Sequence, residues 1–167
     1  MLIHQKLGNI NLSPCSKNID WLNLEWHETT KRILHKTARS GREITMKFLR
    51  ENQNLTEGDI IYEDAETVIA IDIQPCEAII VKPKNMFEMA AACYEIGNKH
   101  LSLFFQDNEL LIAYEAPLFN LLALAGYDVL KENRKLINPL KTSVAFHAHI
   151  GSESLFSKMM KPSPSAE

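Results

Sequence analysis

No apolar run in the chain approaches the ~20 residues that a helix needs to cross a bilayer, so no membrane role is expected. Basic residues are not in excess. Eighteen Lys plus Arg stand against 21 Asp plus Glu, for a formal net charge of −3. Nucleic-acid binding usually rests on a basic domain or a concentrated basic face, so no nucleic-acid partner is expected either. Cysteine is scarce: Cys15, Cys76 and Cys93 form no CxxC, and an odd number cannot pair fully within one chain. That pattern fits free thiols in a reducing compartment and predicts a cytoplasmic protein. Residues 1–8 lack the charged start and long apolar stretch of a secretory leader. There is no Gly-x-Ser-x-Gly elbow and no glycine-rich phosphate loop, and nothing else points to an enzyme.

What is present is an ordinary core former. Of 167 residues 46% are hydrophobic, enough for one domain or two small ones. In the first half, Leu22, Leu24 and Trp26 alternate with polar neighbours, as do Ile44, Met46 and Phe48. Period two puts each set on one face of a strand. Ile60–Tyr62 and Thr67–Ile73 read as further short strands, with turns at 52–54 and at Gly58-Asp59. Asp59, Glu63, Asp64 and Glu66 read as turn and solvated-face carboxylates. Residues 1–75 are therefore expected to form an all-β domain, a small antiparallel sandwich or barrel.

The pattern changes near Gln74-Pro75. A strand over 77–82 is followed by Asn85, a natural N-cap, with Glu88 placed to close a capping box. Phe87, Ala90, Ala91 and Tyr94 share one helical stripe and are expected to face the core, with Gly97 closing the helix. A hairpin over 101–105 and 110–114 comes next. A helix opens at Pro117 with Leu118, Leu121, Leu122 and Ala125 on its apolar face and stops at Gly126, and a strand follows over 129–137. The order β-α-β-β-α-β predicts a ferredoxin-like domain over 76–149, its helices on one sheet face and the other left for a partner or a second domain. The whole is α+β, ending in a flexible tail over 150–167 in which Leu155-Phe156 and Met159-Met160 could dock weakly.

The chemistry rests on histidines. His100 ends the run Gly97-Asn98-Lys99-His100, and His147 and His149 form a His-x-His pair. In extended chain, residues i and i+2 point the same way with Cα atoms ~6.6 Å apart, so two imidazoles can reach one ion. On spacing alone a chance pair in a polar tail is the commoner case. His100 alone reads as a surface or capping histidine. Cys93 reads as a small core residue, and no basic cluster activates any of the thiols.

Three segments together carry a resemblance. Leu55-Thr56-Glu57-Gly58-Asp59-Ile60-Ile61-Tyr62, the helix ending Glu95-Ile96-Gly97-Asn98-Lys99-His100, and the late His-x-His resemble the urease accessory protein UreE family, over nearly the whole chain to His149. The family motif is Gly-Asn-Arg-His. Lys99 stands here in place of the Arg, which keeps the charge and loses the planar fork. The resemblance implies a homodimeric nickel chaperone delivering Ni²⁺ to apo-urease. It implies His100 as the metal ligand at the dimer interface, and His147 and His149 as further ligands. Zn²⁺ or Cu²⁺ would also bind such nitrogens. The implied partners are the urease apoprotein and other urease accessory proteins, including the accessory GTPase. Residues 1–75 would then dock partners while 76–149 bind metal and dimerise. A divalent-metal buffer with the same ligands but no tie to urease is the alternative.

Overall fold

Leu22 and Leu24 alternate with polar Asn23 along a strand, and that alternation seeds the first core. In a computed structural model describing residues 1–12, 16–49 and 54–140, Asn18–Leu24 is β3, with both leucines wholly buried. It follows β1 (Leu2–Ile3) and β2 (Gly8–Asn9). A short 3-10 turn, Trp26–Glu28, ends the run. Next come β4 (Ile33–Thr37), β5 (Glu43–Lys47), β6 (Asp59–Glu63) and β7 (Thr67–Ile73). One sheet has the order β2-β6-β7-β3 and the other β1-β5-β4. Their inner faces meet in a core that includes Ile3, Leu34, Met46 and Phe48 from one side and Leu22, Ile61, Ile69 and Ile71 from the other.

The sandwich is as expected, but it is not purely antiparallel. β3 pairs with β7 in parallel, and so does β1 with β5. A parallel pair needs a crossover, and here the chain builds β4, β5 and β6 before returning to β3 as β7. Trp26 leaves the strand pattern because Glu25 caps the 3-10 turn, its backbone N–H donating to the Glu28 carboxylate at 3.0 Å. Asp59, read as solvated, is almost fully buried.

The second half is β8 (Cys76–Val81), α1 (Met86–Gly97), β9 (Phe104–Gln106), β10 (Glu109–Ala113), α2 (Ala116–Leu124) and β11 (Val129–Arg134). Its sheet order, β11-β8-β10-β9 with every pairing antiparallel, is the ferredoxin-like arrangement. Asp107 and Asn108 turn the β9–β10 hairpin with φ of 50° and 62°, the left-handed pair that a type I′ turn needs. α2 closes at Gly126, φ 89°, with Gly126 N–H donating to Ala123 O and Tyr127 N–H to Leu122 O. That is a Schellman motif. The strand expected over 101–105 shrinks to 104–106, and the last strand ends at Arg134 rather than at 137.

β8 is buried on both sides. Ile79 and Val81 meet the helices through Ala92, Ile96, Leu118 and Leu122. Ala78 and Ile80 lie on the opposite face with Phe104, Leu111 and Leu136, and Trp26 of the first half packs there. The Trp26 and Phe104 rings meet edge to face, 5.6 Å between centroids. Lys135 adds an ionic tie, its ammonium 2.7 Å from Glu57 Oε1 and 2.5 Å from Asp72 Oδ1. On the sheet face left open by the helices, Leu136 and Trp26, the latter from the first half, thus complete the core.

Candidate metal centre

α1 positions the corner that carries His100. Asn85 Oδ1 accepts from Glu88 N–H at 2.9 Å, as expected of an N-cap. The Glu88 carboxylate reaches one residue further back than a capping box requires and accepts from Lys84 N–H at 2.7 Å. Ala92 and Ile96 are buried on the helix, with Met89 and Cys93 packed beside them. The Phe87, Ala90, Ala91 and Tyr94 stripe therefore does not face the core. Phe87 is 84% exposed and Tyr94 75%, and Met86 at 82% and Leu124 on α2 at 89% are also solvent-facing. Nearly every residue of Met-Phe-Glu-Met-Ala-Ala-Ala-Cys-Tyr-Glu-Ile-Gly is apolar, so two stripes share the helical period and the sheet takes only one.

The helix does not close at Gly97, which is its last helical residue. Asn98 N–H still donates to Tyr94 O, Lys99 N–H to Ile96 O and His100 N–H to Gly97 O, each at 3.0 Å. The left-handed residue is His100, at φ 56°. A side chain there is strained, and such positions gather at functional sites. His100 is exposed and sits at the negative end of the helix dipole, where a cation is favoured. α1 and α2 run antiparallel, and a shallow cleft between the end of one and the start of the other is lined by Lys99, Leu101, Glu115, Pro117, Leu118 and Leu121.

His147 and His149 lie outside the described residues. The chain that leads to them is placed, however. Phe105 N–H donates to Asn138 O at 3.3 Å, Leu140 N–H donates to Leu103 O at 2.8 Å, and Phe104 bridges Pro139 in antiparallel sense. Among the described residues, no three His, Cys, Asp or Glu side chains converge on a metal-sized site. The other described histidines serve the first domain. His35 Nδ1 lies 3.0 Å from Thr45 Oγ1, His4 Nδ1 lies 3.4 Å from Lys47 O, and His27 packs edge-on against Trp26. Burial pushes the thiols of Cys76 and Cys93 up, and the charge of Glu25 adds to this at Cys76. Neither is an activated thiolate. Cys15 is outside the described residues.

The Leu55–Tyr62 motif proves architectural. Gly58 is left-handed at φ 78°, and a Cβ there would lie 2.6 Å from Asn11 Nδ2. The buried Asp59 carboxylate accepts from Lys6 Nζ at 3.1 Å, Asn9 Nδ2 at 3.0 Å and Thr56 N–H at 2.8 Å. Glu57 accepts from Ile73 N–H at 2.7 Å while pairing with Lys135. Sequence reasoning missed the exposed stripe on α1 and the pairing of 138–140. The unusual density of large apolar residues on α1 was the one signal available for the first.

The profile for "UreE urease accessory protein, N-terminal domain" matches residues 3–74, and that for its C-terminal domain matches 66–152. A urease accessory protein UreE of Flavobacterium johnsoniae is 43% identical over 161 residues, covering 96% of this chain and 98% of its own. One of Actinobacillus pleuropneumoniae is 42% identical over 130 residues, 78% of this chain and 70% of its own. One of Acetivibrio thermocellus is 33% identical over 150 residues, 89% and 97%. With both halves matched and relatives of this identity running nearly end to end, the chain belongs to the urease accessory protein UreE family.

Proposed function

We propose that the protein is a homodimeric nickel carrier for urease assembly, holding Ni²⁺ between the His100 side chains of two chains. The carrying observation is the pairing of an exposed apolar helix face, Phe87 and Tyr94, with an exposed, left-handed histidine at the end of the same helix. A two-fold interface sets each residue near its own copy, so one histidine per chain becomes a chelating pair. His147 and His149 supply further nitrogens, which fits a carrier that must release its cargo better than a closed four-ligand cage does. Residues 76–149 form the metal-binding and dimerising part in this reading. Residues 1–75 offer the docking surface for the urease apoprotein and the accessory GTPase, and 150–167 the tail. The role is that of a chaperone, not an enzyme, and its place of work is the cytoplasm.

Imidazole does not itself choose nickel. Cu²⁺ binds such a set at least as tightly, and Zn²⁺ binds it too. Selection therefore lies with metal supply and with the partner that receives the ion. Calorimetry tests the ligand assignment. Wild type is expected to take one tight nickel per two chains, and His100→Ala to lose that site while light scattering still reports a dimer. Undiminished tight binding by the variant would remove His100 as the principal ligand.

A further inference from the structure

In the first half, β4 lies at the edge of the sheet β1-β5-β4. Phe48 N–H donates to Arg32 O and Ala38 N–H to Arg42 O, on the rungs just beyond the two ends of the β4–β5 pairing. Bonded rungs alternate in an antiparallel pair, so Leu34 and Lys36 turn their N–H and C=O groups to β5. Those of Ile33, His35 and Thr37 point the other way, out of the sheet. The next outward N–H, on Arg39, is taken by Trp21 O at 2.9 Å. Among the described residues, no backbone group pairs with the outward groups of Ile33, His35 and Thr37. All three residues are exposed, Ile33 to 51%. An edge left in this state is a template for another strand. Charge restricts which strand. Residues 31–47 hold Lys31, Arg32, Lys36, Arg39, Arg42 and Lys47 against Glu43 alone, in a chain with 18 basic and 21 acidic residues. Acids from other elements answer part of this. Arg39 pairs with Asp72, and Asp64 lies 3.9 Å from Arg42. Toward Ile33 the balance is more one-sided. Glu28 is shared between Lys36 at 2.6 Å and Lys31 at 3.8 Å, while Lys47 stands opposite Ile33 on β5. A second copy of this edge would bring like charges together, which is unfavourable across paired strands.

We propose that the outer edge of β4 captures an extended, acidic segment of a partner protein as an added strand. The main chain of Ile33, His35 and Thr37 supplies the hydrogen bonds, and the basic side chains around them select for carboxylates. A segment of about five residues, ~17 Å in extended form, covers the edge. This deepens, and rests on, the reading of residues 1–75 as the docking domain, and it uses none of the proposed metal ligands.

Fluorescence anisotropy of the full-length chain with a labelled heptapeptide of alternating Glu and Val tests this. The peptide is expected to bind. The same peptide with alternate backbone amides N-methylated, or with Lys in place of Glu, should bind at least about tenfold more weakly. His35→Pro removes an outward N–H, a change that an edge strand tolerates, and is expected to weaken binding about three- to tenfold. His35→Ala keeps the N–H and should weaken it by no more than about twofold. Thermal melts check that both variants fold, and the N-methylated peptide tests the main-chain bonds on the unaltered protein. No binding of the Glu peptide, equal binding of the N-methylated or Lys form, or full binding by a folded His35→Pro overturns the proposal. Purified apo-urease and the accessory GTPase separate it from the reading beneath it. If both bind wild type and His35→Pro equally, docking stands and the edge assignment falls. If neither binds the wild-type chain, the docking reading itself falls, and the edge assignment with it.

Discussion

His100 occupies a backbone conformation that a glycine would fill more easily. At φ 56° its Cβ crowds the backbone, and the turn that ends α1 would gain from its removal. The expected outcome is a separation of stability from binding. His100→Gly should be about 1 kcal/mol more stable than His100→Ala in urea denaturation, while both lose tight nickel. Equal stability would mean that the left-handed turn is not maintained in solution. Gly58 makes the opposite case. Its φ of 78°, and an Asn11 side chain that would lie 2.6 Å from any Cβ at this position, leave no room for a larger residue. Gly58→Ala should cost about 1–3 kcal/mol in the same assay. The run Gly97–His100 marked His100 as a candidate through the family resemblance, but its left-handed conformation was not legible. Gly97 looked like the helix stop because glycine is the usual left-handed residue, whereas here the chain makes three more hydrogen-bonded steps before turning.

At the scale of elements, the proposed meeting of two chains rests on α1. Phe87 and Tyr94 project from it into solvent, and large aromatics are frequent anchors of interfaces. Tyr94→Asp should weaken self-association about 30-fold or more, the size of a hot-spot loss near 2 kcal/mol. Sedimentation at graded concentration would measure it, and circular dichroism should show the fold intact, since Tyr94 does not belong to the core. A dimer of undiminished strength would place the interface elsewhere. The orientation of this helix is not set by its sequence period alone. Periodicity detects an apolar stripe but cannot rank two of them, and Ala92 and Ile96 lie on the stripe that the sheet covers. The longer strands were legible because alternation over several residues is a strong signal, as at Leu22 and Leu24. The two-residue strands β1 and β2 carry no period at all. The parallel pairing of β3 with β7 depends on contacts across more than 40 residues that local pattern does not encode.

In the whole molecule, the two halves are tied by Trp26 on Phe104 and by Lys135 between Glu57 and Asp72. Arg39 also pairs with Asp72. Burial pushes the Asp72 carboxyl up, but the hydrogen bond and charge of Lys135, with Gln74 and Arg39, outweigh it and hold the group below the usual aspartate range. A depressed carboxyl stabilises the fold above its unfolded pKa, ~3.9, and loses that contribution as pH falls through the lower folded value. Lys135→Met should therefore flatten the acid limb of the stability profile below about pH 4 and cost about 1 kcal/mol at neutral pH, since the ammonium is partly exposed. Denaturation midpoints across pH would show it, and an unaltered acid limb would contradict the tie. Removing the first half would take Trp26 away from the core of Ala78, Ile80 and Phe104, so point variants are the sounder probe of docking. The proposed carrier role depends on two copies of one histidine sharing a transferable ion. Nickel-edge anomalous diffraction from crystals of the nickel-loaded protein tests it most directly. The expected result is a peak on a two-fold axis within ~2.1 Å of an imidazole nitrogen from each His100, a distance typical of first-row metal sites. A nickel peak with no His100 beside it, or His100 corners far apart in the dimer, would contradict it.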